Sequence, residues 1–330
     1  MKFLKYLLAG FSLLVLVYFL GPHPKNPQVT SDLPVIQDTG AALEARISKM
    51  ESGFNVKPDN EARIIWNNDS LKQKTEYAIV YLHGFSASQE EGDPVHTDLA
   101  KKMGANLYLS RLDAHGLSDP ESMMHLTAQG LWETTKMAYA IGKNLGRKVI
   151  VMGTSTGCTL ALMLAAQQYP EIAGLILISP NIEINNKDAY LLNNPWGLQL
   201  ARAIMGSDYI EVKDTTSIYK KYWYTHYRME STVELQELLE TQMTPETFKK
   251  VNQPTLMLYY YKDEQHQDPV VKVSAMKTMF EQLATSSELK KAVAIPNGGN
   301  HVLGSYIKSN DLPAVEKEIT AYALQQRWIK

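Results

Sequence analysis

Val149-Ile150-Val151-Met152-Gly153-Thr154-Ser155-Thr156-Gly157, continued by Cys158-Thr159-Leu160-Ala161-Leu162-Met163-Leu164, is the stretch on which the reading of this chain turns. A short apolar run rich in β-branched residues ends at Gly153, and an apolar run of helical length follows Ser155. The string is therefore G-x-S-x-G set between a strand and a helix, the context in which the serine occupies a sharp strand-to-helix turn. Such a turn strains the serine backbone, and the residues two positions away on either side need to lack a Cβ. Gly153 and Gly157 meet that need. The turn lifts the hydroxyl clear of the sheet, and the next helix aims its dipole and free N–H groups at any anion that forms there. Ser155 is the candidate nucleophile. The plainer alternative is a tight strand-to-helix turn without chemistry. A phosphate-cradling loop is a poor rival, because residues 153–158 lack the Gly-Lys-Ser/Thr ending that a nucleotide site requires.

Outward from this string, short β-like runs alternate with helical stretches. Strands are expected at 62–66, 77–82, 106–111, 148–152, 175–179, 255–260 and 291–295. Helices are expected at 41–51, 96–103, 127–145, 156–168, 273–284 and 313–325. Alternation of this kind predicts an α/β fold with a mostly parallel sheet, and continuous apolar strands predict that both sheet faces are covered. The alternation breaks once. Residues 182–253 show no strand-like run and carry Trp196, Tyr209, Tyr219, Tyr222, Trp223, Tyr224 and Tyr227, which reads as a helical insertion over the sheet, a lid.

With these strings in place the chain resembles the α/β-hydrolase superfamily, in particular its lid-bearing esterase and monoacylglycerol-lipase-like members, from about residue 77 to 325. The resemblance rests on three further strings. Tyr81-Leu82-His83-Gly84-Phe85-Ser86 is a strand ending in H-G-x, which in that family supplies one oxyanion N–H from the residue after the glycine, here Phe85. The second N–H belongs to Thr156, the residue after the nucleophile. His83 and Gly84 are expected to brace that loop. Arg111-Leu112-Asp113-Ala114-His115-Gly116 matches the loop after the next strand, with Ala114 where the family commonly has glycine, and His115 is expected to bond backbone.

The third string gives the base. Strand 291–295 is followed by Asn297-Gly298-Gly299-Asn300-His301-Val302, and the resemblance places the catalytic imidazole after the last strand, so His301 is the candidate base. For the triad acid, the loop after strand 255–260 offers both Asp263 and Asp268. Spacing from the strand favours Asp263. The resemblance favours Asp268, because D-x-V-V before a helix is how many of those relatives present their carboxylate; Asp268 is the preferred assignment, with Asp263 kept as the alternative. Either carboxylate would fix the imidazole tautomer and stabilise the imidazolium. His266 has no second histidine at helical spacing, so no metal is expected, and no cofactor.

The remaining features bound the answer. The chain has 330 residues, 45% of them hydrophobic and 21% charged, and a formal net charge of -2, with no basic stripe to engage nucleic acid. One cysteine, Cys158, excludes an intrachain disulfide and lies in an apolar helical pattern as a small buried residue. At the N-terminus Lys2 and Lys5 precede an apolar run from Tyr6 to Leu20 that breaks at Gly21-Pro22. Residues 1–21 are accordingly expected to be a membrane anchor, including a transmembrane helix, or an export signal, with the catalytic body on the non-cytoplasmic side. Residues 22–40 read as a spacer and 41–330 as the hydrolase domain. The expected activity is hydrolysis of carboxylic esters bearing hydrophobic acyl or alkyl groups. A peptidase or amidase of the same fold is the alternative, and Glu211, Glu230 and Glu234 are lid carboxylates that such an enzyme would use to hold an amine. A non-catalytic binding protein of this fold is the further alternative.

Overall fold

The computed structural model describes residues 2–329. In chain order the elements begin with α1 (Lys2–Phe19), α2 (Gly40–Glu51), β1 (Arg63–Ile65), β2 (Thr75–Leu82), α3 (Val95–Met103) and β3 (Asn106–Leu109). There follow α4 (Ala128–Leu145), β4 (Gly146–Thr154), α5 (Thr156–Ala165) and β5 (Ile172–Ile178). An insertion then holds α6 (Gly197–Met205), β6 (Tyr209–Glu211), α7 (Ser217–Tyr222), β7 (His226–Arg228), α8 (Glu230–Gln242) and α9 (Pro245–Phe248). The chain closes with β8 (Thr255–Tyr259), α10 (Val273–Gln282), β9 (Lys290–Ala294) and α11 (Leu312–Gln325).

Seven strands form one sheet in the order β1-β3-β2-β4-β5-β8-β9. Only β1 runs antiparallel, paired with β3 at the edge, and every other neighbour pair is parallel. The central strands read as unbroken apolar runs because helices cover both faces: Val149, Val151 and Leu175 pack in one buried cluster, and Ile150, Met152 and Ile176 in the other. All ten residues of α5 are buried. At about 1.5–3 kcal/mol for each large apolar side chain, this central helix anchors the turn that precedes it.

The parallel arrangement brings the ends of β2, β4, β5, β8 and β9 to one edge of the sheet, with the insertion above them. That insertion is mainly helical, but the segment expected to be without strands contains the antiparallel β6–β7 pair. Three residues per strand are too few to show an alternating pattern, which is why the sequence does not reveal it.

Residues 22–39, expected to be a spacer, carry no regular structure and form a strap bound to the domain: Trp132 Nε1 and Asn144 Nδ2 of α4 donate to Thr30 O (3.2 Å) and Ile36 O (3.3 Å), and Tyr169 Oη, beyond α5, donates to Ser31 O (2.6 Å). The expected transmembrane helix is corrected. Among the described residues no helix is long and apolar enough to cross a membrane. With 18 residues, α1 extends about 27 Å at 1.5 Å per residue, less than the roughly 30 Å hydrocarbon core, and Lys5 shortens its apolar part further.

Candidate active site

Ser155 stands between β4 and α5 with φ 53° and ψ -117°, a conformation costing about 1–3 kcal/mol for a residue with a Cβ. Surrounding backbone holds it there. Its N–H donates to Ile178 O (2.9 Å), and its carbonyl accepts from Cys158 N (2.9 Å) and Asn181 N (3.1 Å). The flanking glycines are required by close approach. A Cβ on Gly157 would lie 1.9 Å from Leu82 O, and one on Gly153 would lie 2.6 Å from the Gly157 carbonyl carbon. The start of α5 is thereby pressed against the end of β2. Cys158, buried behind the turn, donates its thiol to Gly153 O (3.0 Å), and burial pushes that thiol's pKa up, away from reactivity.

The loop after β2 is laced to the loop after β3 by two neutral histidines. His83 Nδ1 donates to Gly84 O (2.9 Å) while its Nε2 accepts from Leu112 N (3.1 Å). His115 Nδ1 donates to Asp113 O (2.7 Å) while its Nε2 accepts from Ser86 N (2.9 Å). Each ring nitrogen is committed, and burial lowers both pKa values, that of His115 to about 4. Neither imidazole is available to move a proton at neutral pH. The insertion adds a further tie, Tyr224 N to Ser86 O (2.8 Å). Among the described residues no protein group accepts from the Phe85 N–H, and Thr156 heads α5, where first-turn N–H groups have no carbonyl four residues back.

His301 lies buried on the glycine-rich loop after β9, its carbonyl accepting from Ser179 Oγ (2.6 Å). Its Nδ1 donates to Asp268 Oδ2 at 2.6 Å. The other oxygen of that fully buried carboxylate accepts from Val270 N (2.8 Å) and Val271 N (3.1 Å), so the D-x-V-V segment turns its own backbone onto the acid. Burial alone works to lower the His301 pKa, but the Asp268 charge and hydrogen bond, with a contribution from Glu91, hold it above the ordinary 6.5. Asp263 is elsewhere. It is half-exposed and bonds its own turn, accepting from Gln265 N and from His266 Nδ1 (2.8 Å).

Ser155 and His301 face one cavity of about 490 Å³, walled by Phe85 from the β2 loop and by Trp223, Tyr227 and Leu235 from the insertion. Two further residues in this cavity carry no motif. Asn181, just past β5, has a buried Oδ1 without a hydrogen-bond partner. Glu91 is a buried carboxylate in the turn before α3. Burial raises its pKa to about 7, although the Gly84 N–H, the His301 charge and the Trp223 indole all work to lower it. The three lid carboxylates considered for amine binding point to other partners: Glu230 pairs with Arg202 and Arg228, Glu211 with His226, and Glu234 accepts from Ala128 N.

A strained serine between β4 and α5, in one cavity with an imidazole tied to a buried carboxylate, on a mostly parallel seven-stranded sheet, defines an α/β-hydrolase of the serine hydrolase type. A family described as serine aminopeptidase, S33, matches residues 73–303, and the chain belongs to that family. Among solved structures the chain is similar to metagenome-derived lipolytic enzymes LipS and LipT, at 17% identity and TM-score 0.62, covering 82% of this chain and 99% of that one. It is similar to a monoacylglycerol lipase from Paleococcus ferrophilus, at 13% identity and TM-score 0.58, covering 81% and 99%. It is similar also to Est1E from Butyrivibrio proteoclasticus with bound ferulic acid, at 18% identity and TM-score 0.55, covering 81% and 94%. These likenesses show the fold. No curated protein sequence matches the chain.

Proposed function

We propose that this enzyme hydrolyses carboxylic esters of hydrophobic acyl or alkyl groups, with Ser155 as nucleophile, His301 as base and Asp268 as the acid that orients it. The observation that carries this reading is the Asp268–His301 pair sharing an apolar, aromatic-walled cavity with the strained serine. Ser155 Oγ attacks the ester carbonyl as its proton passes to His301 Nε2, while Nδ1–H stays on the Asp268 hydrogen bond. The N–H groups of Phe85 and Thr156 receive the oxyanion. Collapse of the tetrahedral intermediate breaks the carbonyl–oxygen bond to the leaving alcohol, which takes the proton from His301. Water, deprotonated by His301, then attacks the acyl-serine; collapse breaks the carbonyl bond to Ser155 Oγ, which takes the proton back from His301 as the acid leaves.

An ester is favoured over a peptide with a free amine because the lid carboxylates are engaged away from the cavity, and Asp214, at its rim, is paired with Lys308 (2.8 Å). The test is a panel of p-nitrophenyl esters from acetate to dodecanoate beside aminoacyl p-nitroanilides. The expected result is kcat/KM rising from acetate to medium chains, each added methylene contributing up to about 0.8 kcal/mol while it stays in the cavity, with anilides at least about 100-fold slower. Faster turnover of the aminoacyl anilides would give the peptidase reading.

We propose also that α1 holds the enzyme against a lipid surface. Residues 3–20 are exposed, with Phe3, Phe11, Leu14 and Phe19 each more than 60% exposed, an apolar surface of the kind that marks a membrane or partner contact. Full-length protein is expected in the membrane fraction of expressing cells, and a variant lacking residues 1–21 in the soluble fraction with its esterase activity intact. Equal partition of the two would contradict this placement.

A further inference from the structure

Glu91 is a carboxyl group that the triad does not use, buried in the same cavity as Ser155 and His301. Its carboxylate is seated on the backbone of the β2 loop. Oε2 accepts from Gly84 N (2.5 Å), and a Cβ built on Gly84 would lie 2.8 Å from both carboxylate oxygens, so a side chain at 84 would displace the carboxylate. The peptide that follows Gly84 is the one whose N–H belongs to Phe85, the N–H without a protein acceptor. The same loop is held at Ser86 from two other sides, by His115 and by Tyr224 N, but Gly84 N–H is held by Glu91. The carboxylate thus fixes the near end of the oxyanion loop from the turn before α3. From the insertion, Trp223 closes over it, stacked at 4.7 Å on Tyr219.

With its pKa near 7, the Glu91 carboxyl gives up its proton across the neutral range; the anion it becomes is costly in such a place unless compensated, and a purely structural brace for one N–H needs only a neutral acceptor. The charge has somewhere to act. Of the titratable groups facing Glu91, Tyr81 on β2, Tyr219 on α7 and Cys158 on α5 are kept neutral, their pKa values raised. The remaining group, His301, gains from a nearby anion when it becomes an imidazolium.

We propose that Glu91 is a positioning residue for the hydrolysis: its carboxylate locks the Gly84–Phe85 peptide so that the Phe85 N–H faces the oxyanion, and its charge supplements Asp268 in stabilising protonated His301. The inference rests on Ser155 and His301 acting as proposed above. It accounts for a buried carboxylate beside a triad that already has its acid.

The test compares Glu91→Gln and Glu91→Ala with the wild-type full chain on p-nitrophenyl butyrate, reading kcat and KM separately across pH 5 to 9. In Glu91→Gln the amide oxygen still accepts from Gly84 N–H, so kcat at pH 8.5 should stay within about fivefold of wild type. The charge is gone, so His301 should lose its proton more easily and the acidic limb of kcat/KM should move to lower pH. In Glu91→Ala the Phe85 N–H is no longer held, and kcat should fall about 100-fold with KM changed less than threefold, as for loss of an oxyanion donor. Rescue by glutamine but not alanine, together with the displaced limb, supports the proposal. An unmoved limb in Glu91→Gln, or a Glu91→Ala enzyme with wild-type kcat, overturns it. Should Glu91→Ala fail to fold, the limb of the near-isosteric glutamine variant decides alone. Failure of the triad reading is distinguishable, because the wild-type protein itself would then not be modified by a fluorophosphonate.

Discussion

Replacing Ser155 by alanine should lower kcat for p-nitrophenyl butyrate by about 10⁵-fold, leaving only the weak assistance of binding and oxyanion donors. The fold should survive. Every bond that holds residue 155 in place is made by its backbone, to Ile178, Cys158, Thr159 and Asn181, and alanine keeps all four. The strained φ of 53° belongs to any residue with a Cβ and is no worse for alanine than for serine. Loss of activity with an unchanged melting temperature is therefore the expected result, read by steady-state kinetics and thermal unfolding of the same preparation. An alanine variant retaining more than a few per cent of wild-type kcat would show that the nucleophile lies elsewhere.

The second large effect separates the two aspartates. In Asp268→Asn the side-chain oxygen can keep the Val270 and Val271 N–H groups, so the amide NH₂ is turned toward His301 Nδ1. An NH₂ there forces Nδ1 to accept and places the ring proton on Nε2, where it can no longer take a proton from Ser155. The expected loss in kcat is about 10⁴-fold. Asp263→Asn should stay within about twofold of wild type, since that carboxylate is half-exposed and bonds only its own turn. The pH profile carries the same information. His301 is active when neutral, and its pKa is held above 6.5, so wild-type kcat/KM should fall as pH drops through a value above 6.5. In the residual activity of Asp268→Asn the fall should move to lower pH, because the anion that favoured the imidazolium is gone.

What the sequence reveals of this site follows from how local each constraint is. The elbow is legible because strand, glycine, serine, glycine and helix are contiguous, and the two glycines answer collisions within a few residues or with the adjoining strand. The imidazole is legible through its loop and its place after the last strand. The acid stays open between two residues five apart, because the deciding facts are three-dimensional: Asp263 closes a turn with His266, while Asp268 gathers two backbone N–H groups and the distant His301. Glu91 and Asn181 belong to no motif, and their meaning comes only from the cavity that α3, β2 and β5 converge on. One signal for Glu91 was present in the chain. Glu91, the second of a Glu-Glu pair followed by Gly-Asp-Pro, lies seven residues after the glycine of the strand-ending His-Gly, close enough along the chain to turn back onto it. The β6–β7 pair and the strap at 22–39 escape for a different reason, since both are held by tertiary contacts and not by local periodicity.

Hydrolysis depends on the reactivity of one hydroxyl, and peptide mass spectrometry after fluorophosphonate treatment reads it directly. The prediction is a stoichiometric adduct on the peptide containing Ser155, formed by wild-type protein and not by His301→Ala. No adduct on folded wild-type protein, or an adduct on a different serine, would contradict it.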